Sequence, residues 1–182
     1  MRDFIKKHVW TVADHWKGQC YAWDVVNEAL NDDGTYRESI FYKTLGTEYI
    51  KLAFKTAAEA DPTAKLYYND YNLERPSNKT AAARAIVKML QAEGIKVDGI
   101  GMQAHLHGDL AAPTLDQLIT SMNSYGDLGV ECALTELDVR IALPLNVTNL
   151  KWQSDAYKNV SLSAQPLTHS PSSPDPSDGT AE

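Results

Sequence analysis

Two glutamates, Glu28 and Glu136, are the residues of this sequence with the best setting for acid–base chemistry. Each lies where an apolar, strand-like run ends, in the segments VVNEAL and ALTELD. One protonated and one ionised carboxyl group together are the equipment for breaking a glycosidic bond. A carboxylate at a strand end can also cap the next helix or pair with a surface lysine. Neither glutamate alone therefore decides between catalysis and a structural role.

Further polar residues lie near the ends of the predicted strands. Residues two apart in a strand point the same way, so we expect Gln103 and His105 to share one face, as do Glu136 and Asp138. A hydrogen-bond chain from Asp138 through His105 to Glu136 would hold Glu136 ionised while the other glutamate stays acidic. This arrangement gives the two carboxyl groups different environments.

The histidines also leave a metal site open as an alternative. His105, His107, Asp109 and Glu136 carry ligand atoms that a transition metal accepts. The His-x-His pair has no second ligand cluster of comparable density, so the sequence favours neither a metal nor any other cofactor. For His105 alone, a core histidine with satisfied hydrogen bonds is the simpler interpretation.

The elements that must position these side chains alternate between strands and helices. Periodicity predicts strands over residues 19–27, 65–71, 97–106 and 130–141, and helices over 5–16, 39–60, 78–93, 115–125 and from 149 onward. Such alternation indicates a parallel sheet with crossover helices, in either a doubly wound sheet or a (β/α)8 barrel. Polar clusters close all four strands at their carboxyl ends, which favours the barrel. The predicted fold is thus α/β, an incomplete (β/α)8 TIM barrel with about four strands.

Composition divides the chain into two parts. Residues 1–160 are predicted to form a partial catalytic domain, and residues 161–182 are rich in Ser and Pro without periodicity. That composition predicts a disordered tail or a mis-spliced end.

Charge and hydropathy narrow the classes of partner. The net charge of −7 argues against nucleic acid or an anionic membrane surface as a partner. No apolar run approaches the roughly 18 residues of a membrane span. Nothing in the sequence indicates an obligate protein partner, and the first residues lack the apolar segment of a signal peptide.

Four motifs together resemble glycoside hydrolase family 10, the retaining endo-1,4-β-xylanases. In chain order they are WDVVNEAL at 23–30, YYNDYN at 67–72, GIGMQAHL at 99–106 and ALTELDVR at 133–140. The resemblance extends from residue 1 to about residue 160. It implies the fourth to seventh strands of a TIM barrel, a double-displacement mechanism, xylan or xylo-oligosaccharides as the bound partner, and a secreted protein.

The resemblance also assigns roles to individual residues. It implies that Glu28 is the acid/base and Glu136 the nucleophile. The remaining matches imply supporting roles for His105 and Asp138, and substrate contacts for Asn27, Asn69, Tyr71 and Gln103.

The sequence departs from the family pattern at both ends. The family's first three strands and its eighth strand, which carry much of the substrate clamp, have no counterpart here. We therefore expect this chain alone to fold poorly or to have impaired activity. Two alternatives stay open: a non-catalytic carbohydrate-binding fragment or pseudoenzyme, and a related retaining barrel hydrolase such as an endoglucanase or mannanase.

Overall fold

The computed structural model describes residues 1–108 and 112–164. Six helices and six strands are assigned within these residues. The helices are α1 (Arg2–His15), α2 (Ile40–Leu45), α3 (Glu48–Ala60), α4 (Asn78–Ala92), α5 (Leu115–Gly126) and α6 (Val147–Ser163). The strands are β1 (Ala22–Asn27), β2 (Lys65–Asp70), β3 (Gly99–Met102), β4 (His105–His107), β5 (Glu131–Leu134) and β6 (Asp138–Arg140).

Four parallel strands form the main sheet, in the order β1-β2-β3-β5. Asn27 pairs with Asn69, and Asn69 pairs with Gly101 on the next strand. This register brings the carboxyl ends of the strands to one edge of the sheet, as the polar clusters predicted. Side chains such as Leu66 and Ile100, both 0% exposed, belong to the core that includes helices α3 and α4.

A second set of side chains on the sheet is polar. Glu131 of β5 forms an ion pair with Lys65 and accepts a hydrogen bond of 2.8 Å from the hydroxyl of Tyr67. The Tyr67 ring lies over Gly99, where an added Cβ would stand only 2.2 Å from the ring. Glycine at position 99 is thus required for this packing.

The structure corrects three predicted boundaries. The strand predicted over 97–106 is divided into β3 and β4 at Ala104, whose φ of 59° is left-handed and incompatible with a continuous strand. The strand over 130–141 is likewise divided into β5 and β6, which leaves β4 and β6 as a separate parallel pair. The helix over 39–60 is divided into α2 and α3 at Gly46, which also has a positive φ of 56°.

The last helix begins at Val147, because Asn146 and Asn149 form a reciprocal capping box there. It extends through Ser163, past the boundary predicted at residue 160. Most of the predicted Ser/Pro tail, residues 165–182, lies outside the described residues. In the described part of the chain, no helix has the length and hydropathy needed to cross a membrane.

Candidate active site

The polar side chains meet at the carboxyl edge of the main sheet, where backbone hydrogen bonds continue past the strands. The Glu28 amide donates to the Asn69 carbonyl at 2.9 Å, and the Glu136 amide donates to the Gln103 carbonyl at 3.1 Å. Glu28 itself has a φ of 56°, so the chain turns sharply directly after β1. The four segments that carry the predicted site residues are therefore fixed to one another by main-chain contacts.

Three side-chain amides connect the two glutamates. The Gln103 Nε2 donates to Glu28 Oε1 at 3.0 Å and to Asn27 Oδ1 at 3.2 Å. The Asn69 Nδ2 donates to the same Asn27 oxygen at 3.0 Å and to Glu136 Oε1 at 2.9 Å. Asn27 is therefore the centre of a continuous amide network that joins Glu28 to Glu136.

The orientation of Asn69 is set by its neighbours. The Thr135 hydroxyl donates to Asn69 Oδ1 at 2.8 Å, which directs the amide nitrogen toward Glu136. Glycine at position 101 leaves room for the Asn69 side chain, because a Cβ at this position would stand 2.4 Å from Asn69 Oδ1. Asn69 is 1% exposed, so neither contact competes with bulk water.

His105 lies between two carboxylates. Its Nδ1 is 2.8 Å from Asp138 Oδ2 and its Nε2 is 3.0 Å from Glu136 Oε2. His105 donates a hydrogen bond to both carboxylates only when both of its ring nitrogens carry a proton. The hydrogen bond that His105 donates to Asp138, opposed by burial and reinforced by the contact with Glu136, raises the pKa of His105 above its ordinary value.

The predicted hydrogen-bond chain through His105 is thus present, but Gln103 and His105 do not share a strand face. The left-handed Ala104 separates them: Gln103 is buried and bonds Glu28, whereas His105 is exposed and bonds Glu136. The Glu74 carboxylate accepts a 2.7 Å hydrogen bond from the Ala104 amide and so supports this turn.

The contacts of Glu28 favour its carboxylate form, whereas the sequence led us to expect surroundings that keep it acidic. The hydrogen bond from Gln103 lowers the pKa of Glu28, burial opposes this, and the Arg37 guanidinium lowers it further. Arg37 Nη1 is 2.8 Å from Glu28 Oε2. Both carboxylate oxygens therefore have a donor.

Tyr71 is held between two cations. Arg37 Nη2 donates to the Tyr71 hydroxyl at 2.8 Å, and the Lys79 Nζ is 3.2 Å from the centre of the Tyr71 ring. Lys79 is 1% exposed and pairs at 2.9 Å with Asp70, which is 0% exposed. These contacts fix Tyr71, for which the family resemblance implies a substrate contact.

Sequence reasoning missed Arg37, Lys79 and Thr135. Lys79 did carry a signal, because it lies four residues before Ala83 on the buried face of α4, where a charge requires a partner. Arg37 and Thr135 carried none.

The metal alternative finds no support in the part of the chain that the structure describes. Residues 1–108 and 112–164 contain no group of three His, Cys, Asp or Glu side chains arranged to hold an ion. Asp109, one of the residues considered, lies outside those ranges. The geometry of His105 between two carboxylates instead indicates a hydrogen-bonded role.

A family comparison decides the classification of this site. The model of glycosyl hydrolase family 10 matches residues 1–167. The chain belongs to glycosyl hydrolase family 10. Its fold is accordingly an incomplete (β/α)8 barrel, of which the main sheet supplies four parallel strands.

Individual relatives agree with the family assignment. The chain is 61% identical over 160 residues to endo-1,4-beta-xylanase A of Humicola insolens, covering 88% of this chain and 42% of that relative. It is 49% identical to endo-1,4-beta-xylanase D of Talaromyces funiculosus, covering 86% and 38%. The chain thus spans less than half the length of these two relatives.

Solved xylanase structures superpose on the same region. The xylanase from Bispora sp. MEY-1, solved with xylobiose, matches with a TM-score of 0.84 and 42% identity, over 87% of this chain and 49% of that chain. Xylanase 10B from Thermotoga petrophila RKU-1, also in complex with xylobiose, matches with a TM-score of 0.82 and 40% identity, over 87% and 48%.

Proposed function

We propose that the chain catalyses endo-hydrolysis of 1,4-β-D-xylosidic linkages in xylan with retention of configuration. Glu136 is the proposed nucleophile and Glu28 the proposed acid/base. The observation that carries this proposal is the amide network, which connects two carboxylates while giving each a different set of partners. The endo-1,4-beta-xylanase names of its relatives support xylan as the substrate.

In the proposed first step, Glu136 attacks the anomeric carbon as the glycosidic bond breaks. This step uses the protonated form of Glu28, which delivers its proton to the leaving oxygen while a covalent glycosyl-enzyme forms on Glu136. Asn69 Nδ2 and His105 Nε2, at 2.9 and 3.0 Å from the two carboxylate oxygens of Glu136, hold this side chain in position for the attack.

In the proposed second step, Glu28 acts as a base. It takes a proton from water, whose oxygen attacks the anomeric carbon and releases Glu136 as a carboxylate. The donors from Gln103 and Arg37 suit Glu28 to this step, because they stabilise its ionised form.

Two side chains of the site are the proposed substrate contacts. Asn27 Oδ1 accepts two hydrogen bonds, whereas its Nδ2 has no partner within residues 1–108 and 112–164. This Nδ2 is the proposed donor to a sugar hydroxyl. Tyr71 is the proposed contact for the leaving part of the chain. A pocket of about 370 Å³ is lined in part by His105 and by Lys79, the lysine that packs against the Tyr71 ring.

Azide rescue distinguishes the roles of the two glutamates, because the two variants are expected to form glycosyl azides of opposite anomeric configuration. In Glu136→Gly, azide attacks the substrate directly, and we expect an α-xylobiosyl azide from an activated aryl β-xylobioside. In Glu28→Ala, azide attacks the covalent intermediate, and we expect the β-azide. NMR of the isolated azides distinguishes the two anomers, and the wild-type chain without azide is the control.

Three outcomes contradict parts of the proposal. The same anomer from both variants refutes the division of roles between Glu28 and Glu136. Binding of xylan by a folded chain without turnover favours the carbohydrate-binding alternative. Faster hydrolysis of carboxymethylcellulose or mannan than of xylan favours a related barrel hydrolase.

The proposed place of action is outside the cell. Xylan is a polymer that cannot pass a membrane, and the chain carries Asn-x-Ser/Thr sequons at Asn78, Asn146 and Asn159. Of these asparagines, Asn78 and Asn146 have exposed side chains.

A further inference from the structure

Arg37 lies in the loop between β1 and α2 and uses its whole guanidinium group. Its Nη1 is 2.8 Å from Glu28 Oε2, its Nε is 3.1 Å from the Leu30 carbonyl, and its Nη2 is 2.8 Å from the Tyr71 hydroxyl. Its own amide donates to the Ala29 carbonyl at 2.8 Å. The guanidinium is therefore fixed in position independently of Glu28.

The Tyr71 ring against which Arg37 packs is also fixed in position. The guanidinium carbon is 5.3 Å from the centre of the Tyr71 ring, and Lys79 packs against the same ring. Lys79 is held by the buried Asp70 carboxylate. Arg37 thus has a rigid support that a flexible surface cation lacks.

The orientation of the Glu28 side chain depends on its contacts with Gln103 and Arg37. Its left-handed backbone places the side chain at a turn, and 31% of the side chain is exposed. Gln103 holds Oε1 and Arg37 holds Oε2, so a proton bound to Oε2 has to displace the arginine. The geometry favours the carboxylate over the carboxylic acid.

We propose that Arg37 is a positioning residue that orients Glu28 and stabilises its carboxylate form for the water-activating half of the reaction. The proposal rests on the proposed function, in which Glu28 is the acid/base. Gln103 orients the Glu28 carboxylate but carries no charge, whereas Arg37 both orients this carboxylate and places a positive charge beside it. The charges that act on Glu28 are Arg37 from the loop and, more weakly, Lys79 from α4; both favour ionisation, and burial opposes it.

The test compares Arg37→Met and Arg37→Lys with Lys43→Met as a control. Lys43 is an exposed cation on α2 whose nearest acidic partner is Glu38 at 3.9 Å, so its loss changes the net charge without touching the site. Carboxyl-carbon NMR of the glutamate-labelled chain measures the pKa of Glu28, which is assigned by comparison with Glu28→Gln. We expect the pKa of Glu28 to rise in Arg37→Met, to rise less in Arg37→Lys, and to be unchanged in Lys43→Met.

Kinetics separate positioning from a merely structural role. With a dinitrophenyl β-xylobioside, whose leaving group needs no acid, breakdown of the intermediate limits kcat. Removing a charge-assisted hydrogen bond predicts about a tenfold loss of kcat for Arg37→Met near neutral pH. With xylan, the basic limb of the kcat/KM profile is expected to move to higher pH in Arg37→Met, because the acid form of Glu28 persists further.

The result that overturns the proposal is an unchanged Glu28 pKa in Arg37→Met. An equal loss of activity on both substrates with no shift of the pH profile also overturns it, since that pattern reports structural damage alone. If the wild-type chain shows no turnover but the NMR titration still links Arg37 to Glu28, the proposed function fails while the positioning contact is confirmed.

Discussion

Replacing the buried Lys79 by methionine is expected to destabilise the chain strongly. Lys79 and its partner Asp70 are 1% and 0% exposed and 2.9 Å apart. Methionine keeps the apolar volume of the lysine stem but removes the charge. The variant therefore leaves the Asp70 carboxylate buried without its cation.

The structure sets the size of this effect. Removing one member of a buried ion pair typically costs about 3–5 kcal/mol. Asp70 retains the hydroxyl of Tyr68, the amide of Leu30 at 3.4 Å and the amide of Tyr71 at 2.9 Å. Because these donors still solvate the carboxylate, we expect a loss near the lower end, about 3 kcal/mol for Lys79→Met. The double variant with Asp70→Asn removes both charges and is expected to lose less than the sum of the single losses.

Urea unfolding followed by tryptophan fluorescence measures the free energy of unfolding of each variant. Lys43→Met is the matched control, because Lys43 is 58% exposed and its loss is expected to stay within about 0.5 kcal/mol. A loss below about 1 kcal/mol for Lys79→Met, or strict additivity with Asp70→Asn, would refute the argument that a buried charge pair holds this region.

Two further predictions concern the site. Gly101→Ala places a Cβ 2.4 Å from Asn69 Oδ1 and 2.9 Å from Thr135 Cγ2, so Asn69 has to move away from Glu136. We expect kcat/KM on an aryl xylobioside to fall about 10²-fold, since displacing a positioning group by about 1 Å has effects of this size; unchanged turnover would contradict this. For His105, the pKa is raised in the folded chain, so its contribution to stability is complete below its ordinary value of about 6.5 and is lost as the pH rises through the raised value. His105→Asn is therefore expected to flatten the fall in urea midpoint that begins as the pH rises above about 6.5, and a wild-type profile that is already flat would rule out this linkage.

The arrangement of the site at one sheet edge could be predicted because it follows from strand direction. Parallel strands end together, so polar residues after four apolar runs have to converge. Glu28 and Glu136 were identifiable for this reason, and so was the contact of His105 with both Asp138 and Glu136. The catalytic roles of these residues stay predictions until the rescue experiment is done.

The breaks in the strands could not be predicted from local residue types. Ala104 is left-handed although alanine has no preference for that conformation; the buried Glu74 carboxylate, thirty positions away, supports it. Gly46 did carry a local signal for the break between α2 and α3. Arg37 was missed because its partners Glu28 and Tyr71 are set by tertiary packing and not by spacing in the sequence.

The amide network also has a consequence for folding kinetics. Its hydrogen bonds join residues 42, 67, 75 and 76 positions apart, so each one closes a long loop of chain. Contacts of this kind form only after the entropy of loop closure has been overcome by other interactions. The helices, whose contacts are local, are therefore expected to form first, and the link between Glu28 and Glu136 late, after the β1–β2 pairing that places Asn27 beside Asn69. Early compact states would then contain much of the secondary structure before the two carboxylates are brought together.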